Sequence, residues 1–309
     1  MPDKKGCRLC PRNCGADRNP EGKTAETSKT NGKCGVSWKI RVARAALHMW
    51  EEPCISGEEG SGTVFFSGCS LGCVFCQNRD ISGGRAGVDI SADRLAQIFL
   101  ELQEKGANNI NLVTPGHYVP QIARALCLAR DQKLTVPVVY NTGSYEYAET
   151  LKQMEGLVDI YLPDFKFMSR HIASRYCDAP DYALYAKAAI KEMVRQTKRP
   201  VFDKRGMMQR GVIVRHLALP GCMEDSRQIL KYLYETYGDT IYISIMNQYT
   251  PMPGIGRRFP ELASGLPPKE YDALVDYAIE LGVENGFIQE GETAKESFIP
   301  PFDLEGVLP

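Results

Sequence analysis

Three cysteines lie close together in the segment 63–80, TVFFSGCSLGCVFCQNRD. Cys69, Cys73 and Cys76 have the spacing Cys-x3-Cys-x2-Cys and follow the apolar run 63–66, which is typical of a strand. Three thiolates so close in sequence can bind one iron–sulfur cubane, and three ligands leave one iron without a protein ligand. The segment therefore predicts a 4Fe–4S cluster with an open iron. The alternative is a set of buried thiols in a core loop.

A second group of cysteines lies near the N-terminus. Cys7, Cys10 and Cys14, in CRLCPRNC, are followed by Cys34 after the polar span 17–33. Four thiolates in this pattern can complete a tetrahedral zinc site or bind an auxiliary iron–sulfur cluster. A segment with so few apolar residues would gain its order from the metal, which favours ligation over a metal-free arm. The sequence does not choose between zinc and iron.

Composition excludes several classes of protein. The 309 residues carry 37 Lys plus Arg against 38 Asp plus Glu, so no charge imbalance indicates a nucleic-acid or membrane partner. No run of about 18 apolar residues occurs, and the N-terminus lacks the apolar core of a signal peptide. Eleven cysteines in an odd, clustered set favour metal binding in a reducing compartment. We therefore expect a cytoplasmic protein.

From residue 63 onward, strand-like runs alternate with amphipathic helical stripes. Strands are predicted at 63–66, 110–113, 136–140, 158–162, 211–216 and 240–246. Helices are predicted after Ser91 and around 122–129, 145–154, 182–196, 230–237 and 274–281. The run 42–50 also has helical character. Proline at 300 and 301 excludes a helix there, so the C-terminal tail should be extended.

This alternation predicts parallel strands joined by right-handed crossovers. The sheet could be flat and doubly wound, but no Gly-x-Gly-x-x-Gly or Walker loop follows a strand, which weakens that alternative. We predict a partial (β/α)6 TIM-type barrel over residues 59–309, preceded by a cysteine-rich module over 1–58. In such barrels the chemistry lies at the carboxyl ends of the strands.

Polar residues do collect at the predicted strand ends. Because the carboxyl ends of parallel strands share one rim of a barrel, these residues should lie close together. A pocket for a charged cofactor requires such a group of polar residues. They are Thr114, Gly116, His117, Asn141, Asp164, Lys166 and Arg215. His117 and Arg215 are the candidate catalytic residues, although a histidine with only a structural hydrogen bond is an equal alternative for His117.

The segment CSLGCVFCQNRD resembles the signature of the radical S-adenosylmethionine (SAM) enzymes, Cys-x3-Cys-x-aromatic-Cys. Its tail, Asn78-Arg79-Asp80, is similar to that of the pyruvate formate-lyase activating enzyme branch. The resemblance implies that the open iron of the cluster chelates SAM. An electron from the cluster would then release methionine and a 5′-deoxyadenosyl radical that abstracts hydrogen from the substrate. Phe75 would pack near the adenine.

The resemblance covers about 63–249 and implies further roles. Lys166 would pair with the methionine carboxylate, and Asp164 and Arg215 would face the cofactor or a substrate peptide. The relatives usually carry Gly-Gly-Glu at the end of the second strand, whereas this chain has Thr114-Pro115-Gly116 and no acid. Thr114 and backbone carbonyls would then hold the amino group of methionine.

The sequence thus predicts a radical SAM oxidoreductase that acts on a protein or peptide and receives electrons from a flavodoxin or ferredoxin-type donor. Activation of a glycyl radical enzyme is the leading hypothesis for the substrate. The missing acid and the extra cysteines keep radical modification of another peptide, or of a small molecule, as an alternative. A non-catalytic iron–sulfur carrier or sensor is the alternative from another class.

Overall fold

The computed structural model describes residues 6–18, 32–289 and 299–309. Its strands, in chain order, are β1 Ile40–His48, β2 Ser61–Phe66, β3 Val88–Ile90, β4 Ile110–Val113, β5 Val138–Thr142, β6 Ile160–Pro163, β7 Val201–Phe202, β8 Met208–Leu217, β9 Tyr242–Met246 and β10 Gly286–Ile288. Neighbouring strands in the main sheet follow the order β10-β9-β8-β6-β5-β4-β2-β1-β3, with β7 paired to β8.

The centre of the sheet is parallel, as predicted. Strands β2, β4, β5, β6, β8 and β9 pair in parallel with one another in that order, and β10 adds a further parallel strand beside β9. The sheet curls without closing, so the architecture is the partial barrel expected from the sequence. Its carboxyl strand ends point to one rim, where the cysteine loop follows β2.

The helices cover the outside of the sheet. Within the described residues they are α1 Pro53–Ser56, α2 Arg79–Ser82, α3 Ala92–Glu104, α4 Val119–Asp131, α5 Ala148–Leu151, α6 Arg170–Cys177, α7 Tyr182–Thr197, α8 Met223–Tyr237 and α9 Pro268–Leu281. The Ser91 side chain caps α3, as predicted, by accepting a hydrogen bond from the backbone N–H of Arg94. The weak helix predicted at 145–154 is only the short α5 followed by a 3-10 turn at Lys152–Met154.

The helix suggested at 42–50 is wrong, because residues 42–48 lie in strand β1 and residues 49 and 50 are in the loop after it. β1 pairs antiparallel with β2 on one side and with β3 on the other. Alanine and arginine favour a helix locally, but the otherwise open edge of β2 offers hydrogen-bond partners for the backbone of β1, and tertiary context outweighs propensity. A strand from the N-terminal segment thus extends the barrel sheet. The boundary predicted at residue 58, between the cysteine-rich module and the barrel, stays a prediction.

The C-terminal residues lie along β1. The backbone N–H of Leu304 donates to Ala43 O, and that of Ala45 donates to Glu305 O. The Arg44 side chain forms ion pairs with Asp303 and Glu305. The extended tail is thus observed where it is described, and its predicted part at 290–298 lies outside the described residues. No helix in the described part of the chain is long and apolar enough to cross a membrane.

Candidate active site

A cavity of about 320 Å³ opens at the carboxyl ends of the parallel strands. This volume is at the lower end of the range for small-molecule sites. Most of the residues predicted from the sequence line it together: Cys69, Cys73, Phe75, Cys76, Thr114, Asn141, Asp164, Lys166 and Arg215. The predicted rim is therefore one site in space.

The cysteine loop forms the mouth of this cavity. Gly68 and Gly72 have φ of +93° and +63°, so the loop turns sharply at two positions that strongly favour glycine. The backbone N–H of Leu71 points to Cys69 Sγ at 3.4 Å, the kind of contact that supports a metal-bound thiolate. Phe75 is buried edge-on against Phe167 at 5.9 Å between ring centroids.

A fourth thiol lies beside the loop and was missed by the sequence analysis. Cys177, the last residue of α6, is buried, and its Sγ is 3.0 Å from Cys73 Sγ. The hydrogen bond with Cys177, followed by burial, raises the pKa of Cys73. Cys177 is about a hundred residues away in sequence, so no local spacing could have indicated it.

The donor set of the loop fits a cubane. Burial, followed by the neighbouring Cys73 and Cys69, raises the pKa of Cys76 to about 12, so the thiol would ionise near neutral pH only with positive charge from a bound metal. Among the described residues, no three His, Cys, Asp or Glu side chains are arranged around a single ion. A cubane does not require that arrangement, because each thiolate binds a different iron. The loop could thus hold a 4Fe–4S cluster and leave one iron open.

A line of alternating charges crosses the cavity wall. Lys166 Nζ lies 2.6 Å from Asp164 Oδ2, and Arg215 Nε lies 2.9 Å from Asp164 Oδ1. Burial opposes ionisation of Asp164, but the two cations outweigh it and lower the pKa of Asp164. Burial likewise opposes charge on Lys166, and Asp164 outweighs it to raise the pKa of Lys166. All three groups are therefore charged near neutral pH.

Thr114 reaches the cavity with an unusual backbone. Its φ is +60°, which is uncommon for a β-branched residue and costs conformational energy. Its N–H donates to Asn141 O across the strand ends at 2.8 Å. Strained backbone of this kind is often found at binding sites, which is consistent with the predicted role of Thr114.

Two predicted residues lie outside the cavity lining. His117 is buried, its Nε2 is 2.8 Å from Ser67 O, and burial lowers its pKa to about 3. It is therefore a neutral structural histidine, and the geometry gives its candidate catalytic role no support. Gly116 lies against the buried carboxylate of Glu146, where a Cβ would come within 2.8 Å of Glu146 Cδ. Glu146 accepts hydrogen bonds from Tyr140 and Thr142 and does not reach the cavity either.

Two carboxylates that do line the cavity were missed. Glu51 and Glu52 enter it from the loop after β1, just beyond the run 42–50 that the sequence suggested as a helix. Glu51 Oε2 is 2.9 Å from Arg215 Nη1, which extends the line of charges. An acid is thus present in the site although the end of β4 supplies none.

Arg12 joins the N-terminal segment to the cysteine loop. Its guanidinium donates to Ser70 O at 2.7 Å and Leu71 O at 3.2 Å in the loop. It also donates to Cys177 O at 2.7 Å and to Asp178 O at the end of α6. One side chain therefore holds together the two segments that flank Cys73.

The Arg12→Ala variant should hold its cluster less tightly. Several backbone acceptors would lose a charged donor, and hydrogen bonds to charged groups contribute about 1.5–3 kcal/mol. We expect reconstituted iron to be released to a chelator roughly tenfold faster than from the wild type, since tenfold corresponds to about 1.4 kcal/mol. The exposed Arg8, changed to alanine, is the control. Equal release rates for Arg12→Ala and wild type would show that the clamp does not support the cluster loop.

The four N-terminal cysteines lie near one another, although no three of them are arranged around a single ion in the described residues 6–18 and 32–289. Burial raises the pKa of Cys10 to about 12, and Cys34, Cys7 and Cys14 all add to the shift. The backbone N–H of Cys7 donates to Ala16 O, which closes the turn that carries Cys10 and Cys14. Gly68 touches Cys34 O, where a Cβ would approach to 2.7 Å, so this group packs directly on the start of the cysteine loop.

Comparison with known proteins is consistent with this geometry. Residues 63–201 match the model of the Radical SAM superfamily. An uncharacterized protein of Methanocaldococcus jannaschii is 26% identical over 267 residues, which are 82% of this chain and 70% of that protein.

Two structures of SuiB from Streptococcus suis resemble this fold. SuiB bound to S-adenosylmethionine gives a TM-score of 0.50 at 12% identity, covering 74% of this chain and 50% of SuiB. SuiB bound to precursor peptide SuiA gives a TM-score of 0.50 at 12% identity, and the match covers 73% of this chain and 47% of SuiB. The chain thus spans about half the length of SuiB, and the likeness shows that the two share a fold.

Proposed function

We propose that this chain is a radical SAM enzyme that binds a 4Fe–4S cluster at Cys69, Cys73 and Cys76 and cleaves SAM reductively; the match of residues 63–201 to the model of the Radical SAM superfamily supports this. The observation that carries the proposal is the placement of these three thiols at the mouth of the same cavity that holds Lys166. When bound, the cluster and SAM would supply a 5′-deoxyadenosyl radical for hydrogen abstraction. A flavodoxin or ferredoxin-type protein would be the electron donor.

The chain's own residues would bind and orient SAM. An ammonium has three donors, and Lys166 uses one on Asp164, so donors remain for the methionine carboxylate. Thr114 and Asn141 present polar groups on the same wall for the methionine amino group. Phe75 and Leu71 supply apolar surface beside the cluster loop. The buried wall would also exclude water from the reacting atoms.

We propose a peptide or protein as the substrate. The curled sheet is open on one side, and SuiB, which shares the fold, has been crystallised with a precursor peptide. Activation of a glycyl radical enzyme remains the leading hypothesis within this class. Radical modification of another peptide or of a small molecule is the alternative of the same chemistry, and a non-catalytic iron–sulfur carrier or sensor is the alternative without it.

Product analysis separates these functions. The reconstituted chain, incubated anaerobically with dithionite and SAM, should form methionine and 5′-deoxyadenosine in equal amounts. A carrier or sensor would form neither product. An anaerobic pull-down followed by electron paramagnetic resonance of any glycyl radical enzyme recovered then tests the leading substrate, since a glycyl radical should appear only when the chain and SAM are both present.

We also propose that Cys7, Cys10, Cys14 and Cys34 bind zinc or an auxiliary iron–sulfur cluster. Their replacement by serine should remove one metal site and make residues 1–58 more sensitive to proteolysis, while the barrel cluster still forms. Metal analysis of fully reconstituted protein is the measurement. Finding no zinc, and no iron beyond one cubane, in the wild type would refute the second site.

A further inference from the structure

The floor of the cavity is acidic and comes from the N-terminal segment. His48, at the end of β1, pairs with Ser61, the first residue of β2, so β1 ends on the side of the sheet opposite the cysteine loop. Helix α1 then packs Cys54 and Ile55 into an apolar cluster with Val139, Ile160 and Ile213. The residues between β1 and α1 therefore close the barrel from below, and Glu51 and Glu52 are among those that line the cavity.

Glu51 is fully engaged by its neighbours. Its Oε2 pairs with Arg215 at 2.9 Å. Its Oε1 accepts from Asn111 Nδ2 at 2.9 Å and from Asn141 Nδ2 at 3.2 Å. These contacts fix the carboxylate, so Glu51 positions Arg215.

Glu52 differs because one of its oxygens has no partner. The residue is 8% exposed, and its Oε2 is buried without a hydrogen bond to any residue that the structure describes. Burial raises the pKa of the Glu52 carboxyl, whereas a side-chain hydrogen bond from the Ser244 hydroxyl, on β9, lowers it and so engages the group on one side. A buried carboxylate oxygen without a donor is costly, so a ligand that reaches Oε2 and supplies a donor would stabilise the ionised form of Glu52.

The charges of the cavity specify the kind of donor. Among the described residues, Lys166 and Arg215 are the cations of the lining, and Asp164, Glu51 and Glu52 are its carboxyl groups. If all five were ionised, these described residues would carry one negative charge in excess before any cofactor binds. Burial raises the pKa of Glu52, Arg215 opposes the shift, and Glu51 adds to it. A cation at Oε2 would reverse this effect and complete the charge balance.

We propose that Glu52 is a specificity-determining residue that binds a primary ammonium group of the substrate, such as a lysine side chain or a free amino terminus. A single unpartnered oxygen suits a point-like ammonium better than a guanidinium, whose fork requires two acceptors. The inference rests on the proposed function, because it names a chemical group of the substrate that this active site would bind. It also accounts for an acid that reaches the cavity from outside the radical SAM domain at residues 63–201.

The test compares two probes of equal shape. Nα-acetyl-lysine methylamide and its uncharged isostere, the methylamide of Nα-acetyl-2-aminoheptanoic acid, in which a methyl group replaces the ammonium, are titrated calorimetrically into the reconstituted chain with SAM present. The wild type should bind the ammonium probe at least about tenfold more tightly, as a charge-assisted hydrogen bond allows. Glu52→Gln, which keeps the shape, should reduce this preference to about twofold or less. Glu280→Gln, at an exposed position of α9, should keep the full preference.

Two results would overturn the assignment. One is equal binding of the two probes by the wild type, which needs no variant and so does not depend on the folding of Glu52→Gln. The other is an undiminished preference in Glu52→Gln with native iron content and circular dichroism. SAM cleavage by the wild type is measured separately: its absence would refute the proposed function, whereas the ammonium preference could still stand as a binding property.

Discussion

Replacing Cys69, Cys73 and Cys76 together by alanine is expected to abolish the 4Fe–4S cluster of the barrel. Each thiol lines the mouth of the cavity, and each thiolate would bind one iron, so the variant keeps no protein ligand on the loop. Anaerobic reconstitution should then give no cubane signal in absorption or electron paramagnetic resonance from this site. The loss should be complete, because Cys177 alone cannot replace three ligands.

The experiment needs a background without the N-terminal thiols. An auxiliary cluster at Cys7, Cys10, Cys14 and Cys34 would otherwise contribute iron of its own. The matched control is Cys127→Ala, because Cys127 is exposed on α4 and distant in sequence from both groups. An unchanged cubane signal in the triple variant, on this background, would contradict the assignment of the loop.

Lys166→Ala is expected to weaken SAM binding by roughly one to two powers of ten and to leave the cluster in place. The Lys166 side chain is only 19% exposed, so its bond to the methionine carboxylate would form in a partly desolvated wall, where a charge-assisted hydrogen bond contributes about 1.5–3 kcal/mol. A solvent-exposed lysine would contribute under about 1 kcal/mol. The structure therefore argues against the view that Lys166 is an ordinary surface residue.

Titration of SAM into reconstituted protein measures this affinity. Lys231→Ala is the control, because Lys231 lies on α8 with its side chain 56% exposed and should not affect SAM. Lys166→Ala also leaves Asp164 with Arg215 as its partner, so the carboxylate is not left unpaired. Wild-type affinity in Lys166→Ala with full iron content would mean that the open iron and backbone donors alone hold the carboxylate.

The barrel was predictable because its signals are local. Each central strand is an apolar run followed by a helical stripe, and the 3.6-residue period at Leu95, Ile98, Phe99 and Leu102 marks the buried face of α3. The polar strand ends followed from the geometry of parallel sheets, since carboxyl ends share one rim. That reasoning brought Asn141, Asp164 and Arg215 together correctly.

The remaining features depend on contacts that are distant in sequence. Residues 40–48 form a strand only because the edge of β2 is available, so Glu51 and Glu52 could not be placed before that pairing was known. Cys177 reaches Cys73 through the packing of α6. Arg12 donates hydrogen bonds to backbone carbonyls of both the cysteine loop and the end of α6. His117 carried a misleading signal, because a histidine at a strand end can equally turn inward to a backbone carbonyl.

The central claim is that the cysteine loop holds a cluster with an open iron that binds SAM. Electron paramagnetic resonance of the reduced, reconstituted chain before and after addition of SAM tests it most directly, in the variant that lacks the N-terminal thiols. Binding of SAM to the open iron changes the environment of the cluster, so the spectrum should shift when SAM is added and return when it is removed. An intact cubane whose spectrum is identical with and without saturating SAM would contradict the account.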